Sequence, residues 1–474
     1  MATTITRSNE QRERPQAGSD LCTALTMVAC AAGPFAGQER RALAPARHRI
    51  DGVVTVRFTR GPRGATRDGD RGLTLSIPDP YQSKDQGRLV RLEDRWVIES
   101  PASKNGVAVN GCVTRYGTVQ LGDVIEVGRC VFVVERLRLP CDGPLDHTLD
   151  PGAHAQPQLA SLHPGLVTAE AVLAQIARSA NPVLLHGETG TGKEVYARAL
   201  HHASRRTGPF VAVNCGALTP SLLEAELFGH RKGTFSGATA DRAGYVRASH
   251  GGTLFLDEIT ALSESGQVAL LRVLQENEVV AVGDTRAVPV DLRLCAASQL
   301  PLIQEVEAGR FRNDLYGRLF CHELHLPPLR ERRCDLGHLI DGLLRRTSAR
   351  PVEITSGALR LLIEYDWPRN VRELERCLAA AVVLASGGPI DVPHLPATVR
   401  AHRRAHEPAG APPPLDLDAG ERALRAQLAA KLAEHRGNIS AVARELGKHR
   451  EQIQRLIRRF GFDVDLFRRG DDEP

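Results

Sequence analysis

Gly187-Glu188-Thr189-Gly190-Thr191-Gly192-Lys193-Glu194 follows the apolar run Pro182-Val183-Leu184-Leu185 and opens a helical pattern through Val195, Ala197 and Leu200. Glycines let successive backbone N–H groups wrap a triphosphate, the helix N-terminus favours the anion, and a lysine sets a compact charge at the outer phosphates. Glu194 stands where most such loops carry Ser or Thr. Downstream, Leu254-Phe255-Leu256-Asp257-Glu258 is a buried-strand pattern ending in two acids. Asp257 suits hydrated Mg2+, and Glu258 suits polarising a water for attack on a γ-phosphate. Strand-like runs at 183–185, 253–256 and 292–296 alternate with longer helical patterns, which predicts a parallel α/β sheet. The centre of the chain therefore reads as a P-loop ATPase that uses ATP and Mg2+.

The rest of the 474 residues leaves room for about two further domains at roughly 150 residues each. Segments 141–157 and 401–414 are rich in Gly, Pro and polar residues and punctuate the chain. Before the first, short alternating runs such as Val53-Val54-Thr55-Val56-Arg57-Phe58, Leu73-Thr74-Leu75-Ser76-Ile77 and Val131-Phe132-Val133-Val134 predict an all-β sandwich. After the second, from about Asp416, the pattern is helical. The net charge of +5 is too mild to announce a nucleic-acid binder by itself, so basic residues must be located rather than averaged. Lysine occupies only Lys84, Lys104, Lys193, Lys232, Lys431 and Lys448, while 55 of the 61 basic residues are arginine. A coding bias explains most of those arginines, and it does not explain Lys193.

Arg7, Arg12 and Arg14 precede an apolar stretch at 21–32 that loosely imitates a secretory signal, but Glu10, Glu13 and Asp20 interrupt it. No apolar run reaches the roughly 18 residues of a membrane span. The ten cysteines show no C-x-x-C pair or zinc spacing. A cytoplasmic, reducing location with no membrane partner is expected.

From about Pro182 to Leu374 the chain resembles the AAA+ domain of bacterial enhancer-binding activators that work with the sigma-54 form of RNA polymerase. The matching text comprises the loop at 187–194, PFVAVNC at 209–215, ELFGH at 226–230, GGTLFLDEI at 251–259, LLRVLQE at 270–276, FRNDLY at 311–316 with Arg318 and Leu319, LPPLRER at 326–332 and WPRNVREL at 367–374. Glu194 is then a habit of the family. The resemblance implies arginine fingers at Arg312 and Arg318 that reach across a subunit interface, hence a ring homo-oligomer. It implies a lid sensor at Arg372, and at Asn214 the residue that holds the catalytic glutamate in check. The hallmark loop GAFTGA is here Gly233-Thr234-Phe235-Ser236-Gly237-Ala238, with an exposed Phe235 able to insert into sigma-54 polymerase. The chain also departs from the family at Ser298-Gln299, where the family has Thr-Asn sensing the γ-phosphate; glutamine is longer by a methylene. The usual Gly-x-Ser segment ahead of the P-loop is not evident at 161–180, so adenine contacts are not assigned.

At the C-terminal end, Leu424, Leu428 and Leu432 form one helical stripe stopped by Gly437, Ser440 is placed to cap a second helix, and a third turns Ile453, Leu456 and Ile457 inward. This is helix-turn-helix geometry, whose last helix enters the major groove. It resembles the Fis-type DNA-binding end of the same activators, with Lys448, His449, Arg450, Gln452, Gln454, Arg455, Arg458 and Arg459 as DNA contacts. From 444 to 459 the net charge is +4, which suits phosphate contact. Lys448-His449 replaces the family's usual Ile-Ser. At the N-terminal end, the segment from Ser103 to Gly111 followed by Leu121-Gly122-Asp123-Val124-Ile125 resembles a forkhead-associated (FHA) domain, a sandwich that binds phosphothreonine peptides. Ser83 and Asn105 match its phosphopeptide site, Arg67 is the candidate for its arginine, and Gln86 replaces its histidine.

The expected fold class is thus multidomain. Its domains are a flexible extension at 1–45; an all-β FHA-like sandwich at 46–140; a linker at 141–160; an α/β AAA+ P-loop ATPase at 161–398 with an α-helical lid from about 331; a linker at 399–416; an all-α Fis-type helix-turn-helix at 417–466; and a tail at 467–474. The expected function is ATP-driven activation of sigma-54 polymerase from upstream enhancer DNA, with input from a phosphothreonine protein or Ser/Thr kinase. Two other readings stay open: a DNA-binding regulator or repressor whose ATPase is weak or vestigial and does not act through sigma-54, and a remodelling ATPase without DNA function.

Overall fold

The computed structural model describes residues 19–30, 45–69, 71–79, 82–92, 95–100, 106–140, 144–149, 157–234, 238–402, 424, 427–428, 431–432, 434–435 and 438–460. Thirteen described strands precede the ATPase: β1 (Ser19–Cys30), β2 (Ala46–Arg49), β3 (Thr55–Arg60), β4 (Gly64–Asp68), β5 (Gly72–Ile77), β6 (Asp85–Leu92), β7 (Arg95–Glu99), β8 (Val107–Val109), β9 (Cys112–Thr114), β10 (Tyr116–Val119), β11 (Val124–Val127), β12 (Cys130–Pro140) and β13 (Asp146–Thr148). They form two sheets, ordered β13-β2-β1-β12-β11-β8-β9 and β10-β7-β6-β3-β5-β4. Between the sheets, Leu25, Met27, Phe58, Leu75, Leu89, Ile98, Ile125 and Phe132 share one apolar core. β5 shows the driving pattern, burying Leu73, Leu75 and Ile77 on one face of the pleat.

Two expected boundaries are corrected. The signal-like stretch within 1–45 is β1, whose residues pair with β12 from Ser19↔Pro140 to Cys30↔Cys130. Leu25 and Met27 face the sandwich core, while Val28 joins a core shared with the lid, so β1 is apolar on both faces and lacks the alternation of a half-exposed strand. The expected linker at 141–160 contributes β13, paired with β2, and buries Leu149 and Ala160 together with Leu162 and Cys334.

The sandwich is packed on the lid. Val28, Val124, Val131 and Val133 share a core with Leu336, Ile340, Leu343 and Leu359. Polar contacts flank it: Arg47 donates to Leu162 O, and Arg360 pairs with Glu126 at 3.3 Å. Asp335 accepts from Leu162 N (2.7 Å) and Ser161 Oγ (2.6 Å). At Gly337 the backbones approach so closely that a Cβ would meet Val28 O at 1.8 Å. Gly337→Ala is therefore expected to destabilise this junction by about 1–3 kcal/mol. Trp96 lies in the sandwich and Trp367 in the lid, and they are the chain's two tryptophans, so fluorescence-detected urea unfolding reads both sides. An unshifted transition would refute the expectation.

In the central domain β14 (Val183–His186), β15 (Phe210–Asn214), β16 (Thr253–Asp257), β19 (Arg293–Ser298) and β20 (His322–His325) form a parallel sheet ordered β15-β16-β19-β14-β20, and β17 (Glu278–Val280) with β18 (Ala287–Pro289) is a separate hairpin. Both faces are covered, so its strands are continuous apolar runs: Leu254, Phe255 and Leu256 are at most 1% exposed. The lid consists of helices Leu336–Thr347, Ser356–Glu364, Asn370–Leu384 and Ala397–Ala401, the last extending into the expected 399–416 linker.

Near the C-terminus, helices Ile439–Glu445 and Arg450–Phe460 bury Val442, Ala443, Ile453 and Ile457 against Leu428 and Leu432. The cap is Asn438, whose Oδ1 accepts from Ala441 N, rather than the expected Ser440. Among the described residues no helix is long and apolar enough to cross a membrane.

Candidate nucleotide-hydrolysis site

The C-terminal ends of β14, β16 and β19 bring the site together. β14 runs into the glycine loop, where Gly190 (φ 81°) and Gly192 (φ 105°) hold left-handed conformations that side chains resist. Gly192 caps the helix Lys193–Ser204, with nothing within 4 Å of where its Cβ would lie. Lys193 is 7% exposed, and its Nζ donates to Gly187 O (2.7 Å) and Glu188 O (3.2 Å), which centres the ammonium on the loop. Burial pushes its pKa down, while Asp257 and Glu258 oppose that shift. Thr191 is buried and donates to Glu188 O at 2.8 Å, fixing the loop's curvature. Glu194 points away and pairs with Arg198, which explains why this position tolerates an acid.

β16 ends in Asp257. Its Oδ1 accepts from Glu258 N at 3.1 Å, and Oδ2 has no hydrogen bond among the described residues. Burial raises its pKa, opposed by Lys193. A carboxylate with a free oxygen facing a lysine and a phosphate loop is the hard-oxygen donor Mg2+ takes, so the residues fit that ion. Glu258 adopts φ 56°, ψ 49°, a left-handed conformation rare for a residue with a Cβ and frequent at functional positions. Its Oε2 lies so close to Gly216 that a Cβ there would stand 2.2 Å away, and its Oε1 accepts from Gln299 Nε2 at 3.1 Å.

Asn214 is the last residue of β15. Its Oδ1 accepts from Gly216 N at 2.8 Å, capping the turn after β15, and no hydrogen bond joins it to Glu258. The hydrogen bond to the glutamate is made by Gln299.

The lid closes over the loop through Arg330, Arg332 and Asn370, which the sequence motifs contain without marking. Arg330 makes two hydrogen bonds to the Glu188 carboxylate (2.6 and 3.0 Å), and they hold that acid below its usual range. Asn370 donates to Glu188 Oε2 (3.1 Å) and Thr189 O (3.0 Å) and accepts from Leu329 N. Arg332 Nη2 donates to Thr191 O at 2.7 Å. Arg372 stands near enough to Lys193 and Asp257 for its charge to lower the pKa of both. The helix Asn313–Leu319 carries both expected fingers at its ends: Arg312 is tied to Asp314 (2.6 and 3.0 Å), whereas exposed Arg318 has no side-chain partner among the described residues.

At the loop 233–238, Gly233 N donates to Ala238 O at 2.8 Å, and Thr234 Oγ1 to Arg231 O. Arg231 is clamped by Asp241 and Asp284, so the base is closed. Phe235, Ser236 and Gly237 lie outside the described residues. Lys448, His449, Arg450, Gln452 and Arg455 are exposed along one side of the last helix and its turn, and Gln454 is half-buried. The side chains of Arg458 and Arg459 lie outside the described residues.

In the sandwich, buried Gln86 bridges two loops: it accepts from Ser83 N (2.7 Å) and donates to Gly106 O (2.7 Å), beside Asn105, itself outside the described residues. Arg67 does not serve this corner. It donates to both Asp146 oxygens (3.0 Å each) and to Arg49 O (2.9 Å). Burial opposes the Asp146 charge, but hydrogen bonds from His48 and Arg67 outweigh it and hold the acid at about 2.

A parallel sheet carrying a glycine loop, a lysine and a strand-end acid pair under a helical lid defines an AAA+ P-loop ATPase. The sigma-54 interaction domain family matches residues 161–325, and the AAA+ ATPase lid domain family matches 330–412. The transcriptional regulatory protein ZraR of Salmonella typhimurium strain LT2 is 42% identical over 360 residues, covering 72% of this chain and 80% of that protein. The sigma54-dependent transcriptional activator SfnR of Pseudomonas putida is 48% identical over 244 residues, 50% of this chain and 67% of that one. The Nif-specific regulatory protein of Klebsiella pneumoniae is 49% identical over 224 residues, 46% and 43% of the two chains. The chain belongs to the family of sigma-54-dependent transcriptional activators, and its central domain is an ATP-binding ATPase.

Proposed function

We propose that the chain is an enhancer-binding activator that spends ATP hydrolysis on remodelling promoter-bound sigma-54 RNA polymerase. The observation that carries this is the convergence of Lys193, Asp257 and Glu258 under a lid that Arg330, Arg332 and Asn370 fasten to the loop. Gly187 to Gly192 and Lys193 would hold the phosphates, and Asp257 the Mg2+ that neutralises charge on them. Glu258 accepts the proton of the water whose oxygen bonds to the γ-phosphorus as the bond to the β-phosphate oxygen breaks and ADP leaves. Arg318, with Arg312, completes the site of a neighbouring subunit, so hydrolysis requires a ring of copies. The 233–238 loop, tipped by Phe235, touches the polymerase.

The last helix, with Lys448, His449, Arg450, Gln452, Gln454, Arg455, Arg458 and Arg459, docks on upstream DNA, and the sandwich, as an FHA-like module, receives a phosphothreonine protein at Ser83 and Asn105. Purified chain with ATP, enhancer DNA and sigma-54 polymerase is expected to open a sigma-54 promoter. Phe235→Ala is expected to abolish opening while ATP turnover persists. Opening that survives Phe235→Ala would remove the loop's role; no opening by the wild type would favour the regulator that does not act through sigma-54.

A further inference from the structure

Arg47 is a sandwich residue whose backbone lies in β2, paired with Thr26 of β1 and His147 of β13. Its guanidinium is buried, and an arginine taken out of water needs strong partners. Burial pulls its pKa down, and Cys334, Asp335 and Glu135 push it back up. The group it serves lies in the ATPase, since its Nη1 donates to Leu162 O. From there a continuous chain of hydrogen bonds leads to the phosphate loop. Leu162 N donates to Asp335 Oδ1 (2.7 Å), Asp335 N to Arg332 O (2.9 Å), and Arg332 Nη2 to Thr191 O (2.7 Å). Every residue on that path is buried, so breaking a link strands a polar group away from water. The same segment flanks the loop a second time: His163 lies within electrostatic range of Arg332 and His325, and the His325 ring stands 4.9 Å from that of His186, which precedes Gly187.

We propose that the sandwich is a working part of the nucleotide site, with Arg47 as a positioning residue that reaches the phosphate loop through Leu162, Asp335 and Arg332. Holding Leu162 O fixes Asp335, Asp335 fixes the turn that carries Arg332, and Arg332 holds Thr191 O in the curvature that receives the phosphates of a nucleoside di- or triphosphate. Affinity for nucleotide and docking of the sandwich on the lid are then linked, by the same factor in both directions. Arg47 touches no substrate, so its effect falls on binding rather than on the chemical step. This assignment rests on the ATP site alone and is independent of DNA, polymerase and phosphopeptide.

The test uses the full chain, with ADP affinity from calorimetry, steady-state ATP turnover, and amide hydrogen exchange in β2 with and without ADP. Arg47→Met is expected to raise the Kd for ADP and the KM for ATP about tenfold, a typical coupling between sites, with kcat within about twofold of the wild type. Arg47→Lys keeps a donor and the charge, and is expected to recover affinity to within about threefold. Arg360→Gln breaks the pair with Glu126 across the same junction but stands off the path, so its ADP affinity is expected to stay within about twofold of the wild type. Saturating ADP is expected to slow β2 exchange about tenfold in the wild type, a result that needs no variant to fold, and by less than about twofold in Arg47→Met. Wild-type ADP affinity in Arg47→Met, an equal loss in Arg360→Gln, a defect confined to kcat, or wild-type β2 exchange that ignores ADP would each overturn the proposal. ADP that fails to bind the wild type would instead remove the nucleotide site, and the proposal with it.

Discussion

Arg318→Ala is expected to lower ATP turnover by roughly 10³-fold while leaving nucleotide affinity intact, the magnitude typical of a lost arginine finger. The guanidinium is exposed at the end of the helix Asn313–Leu319 and has no hydrogen bond or ion pair within the described residues, so nothing in its own subunit accounts for it. Arg312 is different. Its fork is already engaged by Asp314, with Glu264 4.0 Å away, and that engagement must break before it can reach across an interface. Arg312→Ala is therefore expected to cost less, about tenfold, because part of its fork stays with Asp314 in its own subunit. Mixing decides whether the residue acts in a neighbour's site. Arg318→Ala has an intact Glu258, and Glu258→Gln has an intact Arg318, so a mixture of the two inactive proteins should regain turnover through hybrid interfaces. No regain, or turnover within twofold of the wild type for Arg318→Ala alone, would exclude a finger role.

The hydrolysis site was legible in the sequence because phosphate and water chemistry demand particular residue types at particular points of a strand-loop-helix unit. Lys193, Asp257 and Glu258 satisfy that demand locally, and the fold brings them together. The residues that fasten the lid did not announce themselves. Arg330, Arg332 and Asn370 lie well over a hundred positions from the loop they hold, and a surface arginine in an arginine-rich chain has no local mark of such a contact. The hydrogen bond from Gln299 to Glu258 has no local mark for a related reason: it forms only because the end of β19 stands beside the end of β16. β1 hides in the sequence because burial on both faces erases the period-two pattern that marks a strand, leaving an apolar run that imitates a signal segment. Gln86 shows the converse: it stands where the resembled family has a histidine, and it ties the Ser83 and Gly106 loops together.

The second large effect concerns pH at the junction of sandwich and lid. Glu135, on β12 opposite Ala24 of β1, has an Oε2 sealed from solvent with no close hydrogen-bond partner among the described residues, and the Thr26 hydroxyl is near. Burial pushes its pKa from the ordinary glutamate range to about 7; Arg333 opposes this, Asp335 reinforces it, and Thr26 and Arg47 oppose it more weakly. Arg333 opposes the shift from a distance: its close ion pair is with Asp366 at 2.9 Å, and no ion pair joins it to Glu135 among the described residues. A carboxyl whose folded pKa is raised binds its proton more tightly folded than unfolded, so its stabilising contribution is complete below about pH 4.5 and is lost as pH climbs through about 7. At about 1.4 kcal/mol per pKa unit, the loss by pH 8 is about 3 kcal/mol. Glu135→Gln keeps the shape and removes the titration. It is expected to match the wild type near pH 5 and to be more stable by about that amount at pH 8. Buried His163, held at about 4 chiefly by burial, works in the opposite direction on the acid side, so the informative quantity is the difference between the two proteins, in which His163 cancels. Urea unfolding followed through Trp96 and Trp367 at pH 5 to 8 provides it; parallel profiles for the two proteins would show that Glu135 is ionised at the junction and that Arg333 neutralises it after all.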